Sequence, residues 1–291
     1  MAEGTEVFGL VRATNRRAPD GVQLLDGNLG DESSLDAALH QANPDEVYNL
    51  AAMTFVPDSW ANKGEAQDVN AKGVVRLAQA MKRHGSGARL CHASTAEIFG
   101  APDGLPQGED HETAPVTPYG HAKLEAHRFV ADLRDQRGLF ACSAILFNHE
   151  SPRRPPSFVT RKITMGVARI ARGLDDLLAL GNLDAGRDWG YAPEYMDAMR
   201  LMMRAPSPRD YVVATGRSAT VRDFVRLAFA HVDLDWEKHV RCDAGLLRQG
   251  DAPARIGDPT RIARDLGWSA TTSLEQLIAL MVDADLALLD A

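Results

Sequence analysis

Cysteine is scarce in this sequence. Cys91, Cys142 and Cys242 lie far apart and make no CxxC or other metal-ligand spacing, so neither a disulfide framework nor a zinc module is expected, and free thiols in a reducing cytosol are. The histidines are scattered, and no metal site is expected. Long apolar runs are also missing. None approaches the roughly 20 residues needed to cross a bilayer, and Met1-Ala2-Glu3-Gly4-Thr5-Glu6 has neither the basic start nor the apolar core of a secretory signal. Positive charge is in deficit: the net charge is -8 and the pI near 5.6, which argues against a nucleic-acid or anionic-membrane surface. The local pairs Arg16-Arg17 and Arg153-Arg154 escape that argument, and each suits a small phosphorylated ligand. The expectation is a cytoplasmic protein with no nucleic-acid or membrane partner.

What is present is ordinary globular material: 291 residues, 45% hydrophobic and 25% charged, enough for a substantial core. Strand-like runs at Val7 to Val11, Val22 to Leu25, Glu46 to Ala52, Arg89 to Ala93 and Phe140 to Phe147 alternate with helical patterns. The helices are expected at Glu32 to Gln41, Asp68 to Arg83 and Tyr119 to Arg137. Apolar strands alternating with amphipathic helices predict a parallel sheet covered on both faces. The fold class is therefore α/β, a doubly wound, Rossmann-like sheet.

After Asn148 the alternation weakens and Pro152 to Pro156 makes a stiff break. Beyond it helices are expected near Phe158 to Ala171, Pro193 to Arg204, from Val221, Pro259 to Leu266 and Ser273 to Leu289. Short extended segments fall at Leu177 to Leu180 and Tyr211 to Ala214. Ser273-Leu274-Glu275-Gln276 has the form of a capping box. Residues 1–150 are expected to form a cofactor-binding domain and residues 151–291 mainly a smaller substrate-binding lobe.

The chemistry is concentrated between Leu90 and Lys123. A strand ends in Ala93-Ser94-Thr95-Ala96-Glu97, and after a Pro/Gly-rich loop Thr117-Pro118-Tyr119-Gly120-His121-Ala122-Lys123 opens a helix. Tyr119 and Lys123, four apart, share one helix face. A phenol is a weak base at neutral pH, and an ammonium one turn away favours the phenolate, so the pair suits proton transfer at a substrate hydroxyl. Tyr-x-x-x-Lys alone is common by chance; its place after the Ser-Thr-x-Glu strand end gives it weight. Thr95 is a candidate to hydrogen-bond the same hydroxyl, and Glu97 to take a carbon-bound proton or hand one to a leaving group.

The segments Asn49-Leu50-Ala51-Ala52, Ala93 to Gly100, Pro118 to Lys123, Leu146 to Arg154, Phe158 to Lys162 and Leu180 to Gly190 resemble GDP-mannose 4,6-dehydratases of the extended short-chain dehydrogenase/reductase family. The likeness runs from about Glu3 to Trp268, and the Asn148-His149-Glu150-Ser151-Pro152-Arg153-Arg154 run is specific to that branch. It implies NADP as cofactor and a GDP-sugar as substrate. Tyr119, aided by Lys123 and Thr95, would remove the O4 proton, and Glu97 the C5 proton. The cofactor would be regenerated within the cycle.

By the same matching, Arg12 would meet the 2'-phosphate of NADP, a task suited to a guanidinium. Asn28 and Leu29 would contact its adenine, Leu50, Ala51, Ala52 and Thr54 would line it, and His149 and Arg154 would lie at its nicotinamide half. Asn148, Lys162, Arg187, Arg248 and Asp251 would bind the GDP-sugar, Asp251 standing where the family has Glu. The family also suggests a homodimer or homotetramer through helices of the first domain.

In that family a strand and a glycine-rich turn precede the segment matching Glu3 to Arg12, the turn holding the pyrophosphate. Here only Met1 and Ala2 precede it, so the sheet is expected to open at its middle and cofactor binding to suffer. A late-assigned gene start, a shortened relative and a substitute segment are the open explanations; Ala2 to Glu6 looks like the tail of the family's turn and helix. Met53, Thr54 and Phe55 replace more polar residues, and Pro155 and Pro156 stand where the family has Gly. Rival readings are another sugar-nucleotide epimerase, reductase or dehydratase, or a non-catalytic remnant that binds a nucleotide sugar or a partner. Glu97 favours elimination, since oxidation and return at C4 needs no carboxylate there.

Overall fold

Short, β-branched and apolar strands interleaved with amphipathic helices set the architecture of the computed structural model, which describes residues 4–12, 18–85, 87–101, 104, 106–246 and 254–291. In chain order the first half runs β1 (Val7–Val11), β2 (Val22–Asp26), α1 (Glu32–Ala42), β3 (Glu46–Asn49), α2 (Val56–Ala61), α3 (Lys63–Gln67), a π-turn (Asp68–Lys72), α4 (Gly73–His84), β4 (Arg89–Thr95), a 3-10 turn (Ala96–Phe99), α5 (Pro118–Arg137) and β5 (Ala141–Leu146). The second half continues with β6 (Asn148–Glu150), α6 (Val159–Ala171), β7 (Leu178–Leu180), β8 (Gly186–Arg187), β9 (Trp189–Tyr191), α7 (Ala192–Arg204), β10 (Tyr211–Val213), β11 (Ala219–Thr220), α8 (Val221–Ala230), α9 (Trp236–His239), β12 (Val240–Cys242), a 3-10 turn (Ala244–Leu246), α10 (Thr260–Leu266) and α11 (Leu274–Leu289).

The main strands are parallel but fall into two sheets among the described residues, β1-β2 and β10-β5-β4-β3. Among the described residues β1 pairs only with β2 and β3 only with β4, the opening expected at the middle of the sheet. Helices stitch the two parts together. Leu35 and Leu39 of α1 pack with Val74, Leu77 and Met81 of α4 in one core, and Arg83 is ion-paired to Asp36 at 3.1 Å and Glu32 at 3.4 Å. Arg76 also reaches the Leu29 carbonyl at 3.3 Å and Asp68 at 2.7 Å.

The helix expected from Asp68 is interrupted by the π-turn. Asn70, inside that turn, accepts from Met53 N at 2.8 Å and donates to Met53 O at 3.0 Å. Both backbone groups of the loop after β3 are thereby pinned, in keeping with the placing of π-turns at working sites. On the opposite face of the sheet, Tyr195, Met199 and Met202 of α7 pack with Cys91, Cys142, Ile262 and Trp268.

The second lobe has its own core, built on α6, α8 and α11 around Trp189, Phe224 and Phe229. The Ser273–Gln276 capping box at the start of α11 is formed. Three small two-stranded sheets, β6-β9, β7-β12 and β8-β11, complete the lobe; strands of two or three residues leave too little pattern for sequence reading. Asp285, wholly buried on α11, is ion-paired to Arg161 at 2.5 Å and accepts from Thr164 Oγ1 at 2.7 Å. No helix among the described residues is long and apolar enough to cross a membrane.

Removing one member of a buried pair strands the other charge, typically at about 3–5 kcal/mol, whereas a surface pair contributes about 1 kcal/mol or less. Asp285→Ala is therefore expected to lower urea-unfolding stability several-fold more than Asp290→Ala, which breaks only the exposed Arg172–Asp290 pair. Equal losses would contradict this ranking.

Candidate active site

The carboxyl end of β4 and the start of α5 are shaped by local capping. Thr95, extended at φ -155°, caps the 3-10 turn, its hydroxyl accepting from Glu97 N at 3.2 Å. Thr117 caps α5, accepting from Gly120 N at 2.9 Å, and Pro118 occupies the first turn, where no N–H is needed. Gly120 permits the close approach of the two pieces: a Cβ there would sit 2.8 Å from Glu97 O and 3.0 Å from Pro115 Cβ. Tyr119 is thereby held among Thr95, Glu97 and Arg154, and its own N–H donates to Ser59 Oγ at 3.3 Å.

Burial dominates the electrostatics. It pushes the Tyr119 phenol up to about 12, with hydrogen bonding from Thr95 opposing the rise and the Glu97 carboxylate adding to it. Burial also pulls the Lys123 amine down to about 7. Lys123 donates to Ala93 O, and its Nζ lies 3.2 Å from His92 Nε2. Both side chains of the pair are held towards their neutral forms, an arrangement in which an arriving charge has a large effect on either.

Glu97 is not a solvated loop acid. It is ion-paired to Arg255, whose side chain is almost wholly buried. Arg255 is placed by its own neighbourhood: Gln107 N donates to Ile256 O at 2.8 Å and Asp258 N to Gln107 O at 2.9 Å. Buried Asp188 accepts from Thr215 N, Gly216 N and Gly257 N at 2.9, 3.0 and 3.2 Å. A Cβ on Gly257 would lie 2.3 Å from that of Ala214, so only glycine lets this segment lie against the end of β10. The Arg255 partnership is invisible in the sequence, because 158 positions separate the two residues.

The remaining expected residues fall around this centre in two groups. Arg12 follows β1 and Asn28 follows β2, neighbours because Gly27 N donates to Val11 O at 3.0 Å. Asn28 Oδ1 accepts from Gly30 N at 2.7 Å, and Leu29 is buried against α4. Leu50, Ala51 and Thr54 are exposed and Ala52 half-buried, on the loop that Asn70 pins. His149 donates from Nδ1 to Phe147 O at 2.9 Å and stacks on Tyr195 at 5.3 Å; burial takes it down to about 4, so it is neutral. Arg154 lies over the Phe158 ring at 3.6 Å and pairs with buried Glu150 at 3.1 Å, while Phe158 meets Phe55 edge-on at 5.5 Å.

Asn148 pairs with Trp189 through β6 and β9, Lys162 sits in the first turn of α6, and Arg187 donates to Gly186 O at 2.6 Å. Lys162 and Arg187 lie in the second lobe and Asn148 on β6 where the first part passes into it, all three on other elements than the Tyr119 centre. Arg248 and Asp251 lie outside the described residues, as do Arg16 and Arg17.

The family model described as GDP-mannose 4,6 dehydratase matches residues 4–281. The chain belongs to that family. GDP-mannose 4,6 dehydratase 1 of Arabidopsis thaliana is 42% identical, the match covering 99% of this chain and 85% of the relative. The GDP-mannose 4,6 dehydratase of Homo sapiens is 35% identical, with 99% and 87% covered. Among solved structures, RMD from Pseudomonas aeruginosa complexed with NADPH superposes with a TM-score of 0.84 at 23% identity, covering 93% of this chain and 92% of that one; at that identity the likeness speaks for the fold alone.

The carboxyl ends of β1 to β5 carry Arg12, Asn28, the Leu50–Thr54 loop, Thr95 and His149, the side of a parallel sheet where ligands bind. Ser94 Oγ is buried there without a hydrogen-bond partner among the described residues. These residues suit the adenosine phosphate and the nicotinamide half of NADP.

Lys123 generates a pH test. In the unfolded chain it keeps its proton to its usual 10.5, in the folded chain only to about 7. Between those values the unfolded state binds the extra proton, so stability rises with pH there; the burial penalty is full below pH 7. Relative to Lys123→Met, the natural chain should gain on the order of 3 kcal/mol from pH 7 to 9.5, read by urea unfolding at several pH values. Parallel curves would contradict the shift.

Proposed function

We propose that this chain converts GDP-mannose to GDP-4-keto-6-deoxymannose, with NADP as the resident cofactor. The observation that carries the reading is the convergence of Tyr119, Thr95 and a fixed carboxylate, Glu97, at one strand end, supported by family membership over residues 4–281. When bound, NADP supplies the hydride acceptor for C4 and the donor for C6. Arg12, Asn28, Leu29 and the Leu50–Thr54 loop hold its adenosine half; Tyr119, Lys123, His149 and Arg154 hold the nicotinamide half.

Tyr119 takes the O4 proton, with Thr95 hydrogen-bonding the same oxygen and Lys123 favouring the phenolate. The 4-keto group acidifies C5–H. Glu97, held by Arg255, takes that proton, and the C6 hydroxyl leaves with a proton as water. A proton returns to C5 as hydride reaches C6, so the net change is loss of one water. Simple oxidation and return at C4, as in a 4-epimerase, would have no use for the carboxylate.

Asn148, Lys162, Arg187, Arg248 and Asp251 are assigned to the GDP-sugar. Residues 1–150 form the NADP-binding part and 151–291 mainly the substrate-binding part, although β10, α7 and α10 pack back onto the main sheet. The buried thiols of Cys91 and Cys142 accord with a cytoplasmic setting.

Self-association as a homodimer or homotetramer is assigned to the α4–α5 face, where Val75, Leu124 and Phe129 line a groove rimmed by Gln67, Arg128 and Asp132. Light scattering should report two or four chains, shifting towards one in Phe129→Glu; a monomer at all concentrations contradicts the assignment.

Mass spectrometry of GDP-mannose incubated with the protein and NADP tests the reaction. A product lighter by one water is expected from the natural chain. Glu97→Gln should retain NADP binding while product formation falls by about two orders of magnitude or more. Unchanged turnover in Glu97→Gln would remove the carboxylate from the mechanism.

A further inference from the structure

Behind Lys123 lie two buried polar side chains, Asn49 and His92, that the proposed chemistry leaves unused. Asn49, at the end of β3, stands directly opposite His92 of β4 in the parallel register. Its side-chain Nδ2 lies 3.2 Å from His92 Nδ1, and on the other side of the ring Nε2 lies 3.2 Å from Lys123 Nζ. All three side chains are buried, His92 and Lys123 almost completely. The other groups near these three are Tyr119 and His127 on α5 and Ser143 on β5; His127 is 3.9 Å from Asp210, which Arg134 holds at 2.8 Å. Among the described residues no carboxylate pairs with Lys123.

An ammonium carries three donors and no lone pair, so the ring nitrogen facing it has to accept. That puts the imidazole proton on Nδ1. The Asn49 amide can serve either state of Nδ1, because it offers an oxygen on one side and an N–H on the other. With Lys123 charged the tautomer of His92 is dictated by it, and the Asn49 amide, whose Nδ2 faces Nδ1 in the structure, has to turn over to offer Oδ1 to the Nδ1–H. Burial first, then the Lys123 and His127 charges, hold His92 well below the usual imidazole range, so the ring stays neutral and its lone pair available throughout the working range.

We propose that His92 is a positioning residue for Lys123: its Nε2 lone pair, backed by the Asn49 amide, accepts from the Lys123 ammonium and holds it charged one helical turn from Tyr119. Burial draws Lys123 down to about 7 in the folded chain, so its charge is finely balanced at neutral pH, and loss of an acceptor, His92 or the Ala93 carbonyl, tips it towards the amine. The part of this inference that concerns turnover rests on the dehydratase reading; the interaction itself does not.

The sequence has six lysines, so nuclear magnetic resonance of the full chain labelled at lysine Cε can follow Lys123, identified by the signal lost in Lys123→Arg. The midpoint should fall by about one pH unit or more in His92→Leu, since a lost hydrogen bond to a charged group is of that order. His92→Gln, whose amide oxygen can accept, should restore it. An unchanged midpoint in His92→Leu overturns the proposal.

A second measurement needs no folded variant at that position. Long-range nitrogen–proton correlation on the natural chain should show His92 protonated at Nδ1 and bare at Nε2 below the Lys123 midpoint; Nε2–H there overturns it equally. The pH profile of kcat should move with the Lys123 midpoint in His92→Leu and return in His92→Gln. Absence of turnover in every form, with the resonance shifts as expected, would remove the dehydratase reading and leave the His92 interaction standing.

Discussion

The structure turns on desolvation at the junction of β4 and α5. One helical turn carries a phenol and an amine into a place where water cannot stabilise either charge, and burial drives the phenol up to about 12 and the amine down to about 7. Such a site is costly to fold. It is kept because close packing fixes it: Gly120 lets α5 meet the 3-10 turn, and Thr117 and Thr95 cap the two pieces. The same dryness makes any charge placed there effective, which is what proton transfer at a sugar hydroxyl requires.

Glu97 shows the complementary strategy. Its carboxylate is fixed by an arginine delivered from the far end of the chain, and that arginine is fixed in turn by Asp188, Gly257 and Gln107. A reacting centre supplied by β4 and α5 is thus completed by the segment that returns after β10. The seam between β1 and β3 is handled differently again. Strand hydrogen bonds do not cross it among the described residues, and α1, α4 and the Arg83 and Arg76 contacts hold the two sheets together instead.

The long elements and the Thr95–Glu97–Tyr119–Lys123 cluster were legible in the sequence because each rests on local pattern. Apolar runs gave β1 to β5, three-to-four spacing gave α1, α4 and α5, and Ser273 with Gln276 gave the start of α11. The π-turn was not legible, since it depends on Asn70 meeting the backbone of Met53, 17 residues away. Nor were Arg255 at Glu97, His92 at Lys123 or the two-residue strands β8 and β11. These depend on contacts between remote segments, and no periodicity records them. Glycine gave the one usable hint: Gly257 sits where the Arg255 segment needs to pass close to Ala214.

The central claim is that Glu97 carries out proton abstraction at C5 within an elimination. Incubating GDP-mannose and NADP with the protein in deuterium oxide, and locating the label in the product, tests it most directly. The account predicts a product that has lost one water and carries one solvent deuterium at C5. A product lacking deuterium at C5, or a sugar nucleotide that keeps its C6 hydroxyl, would contradict it.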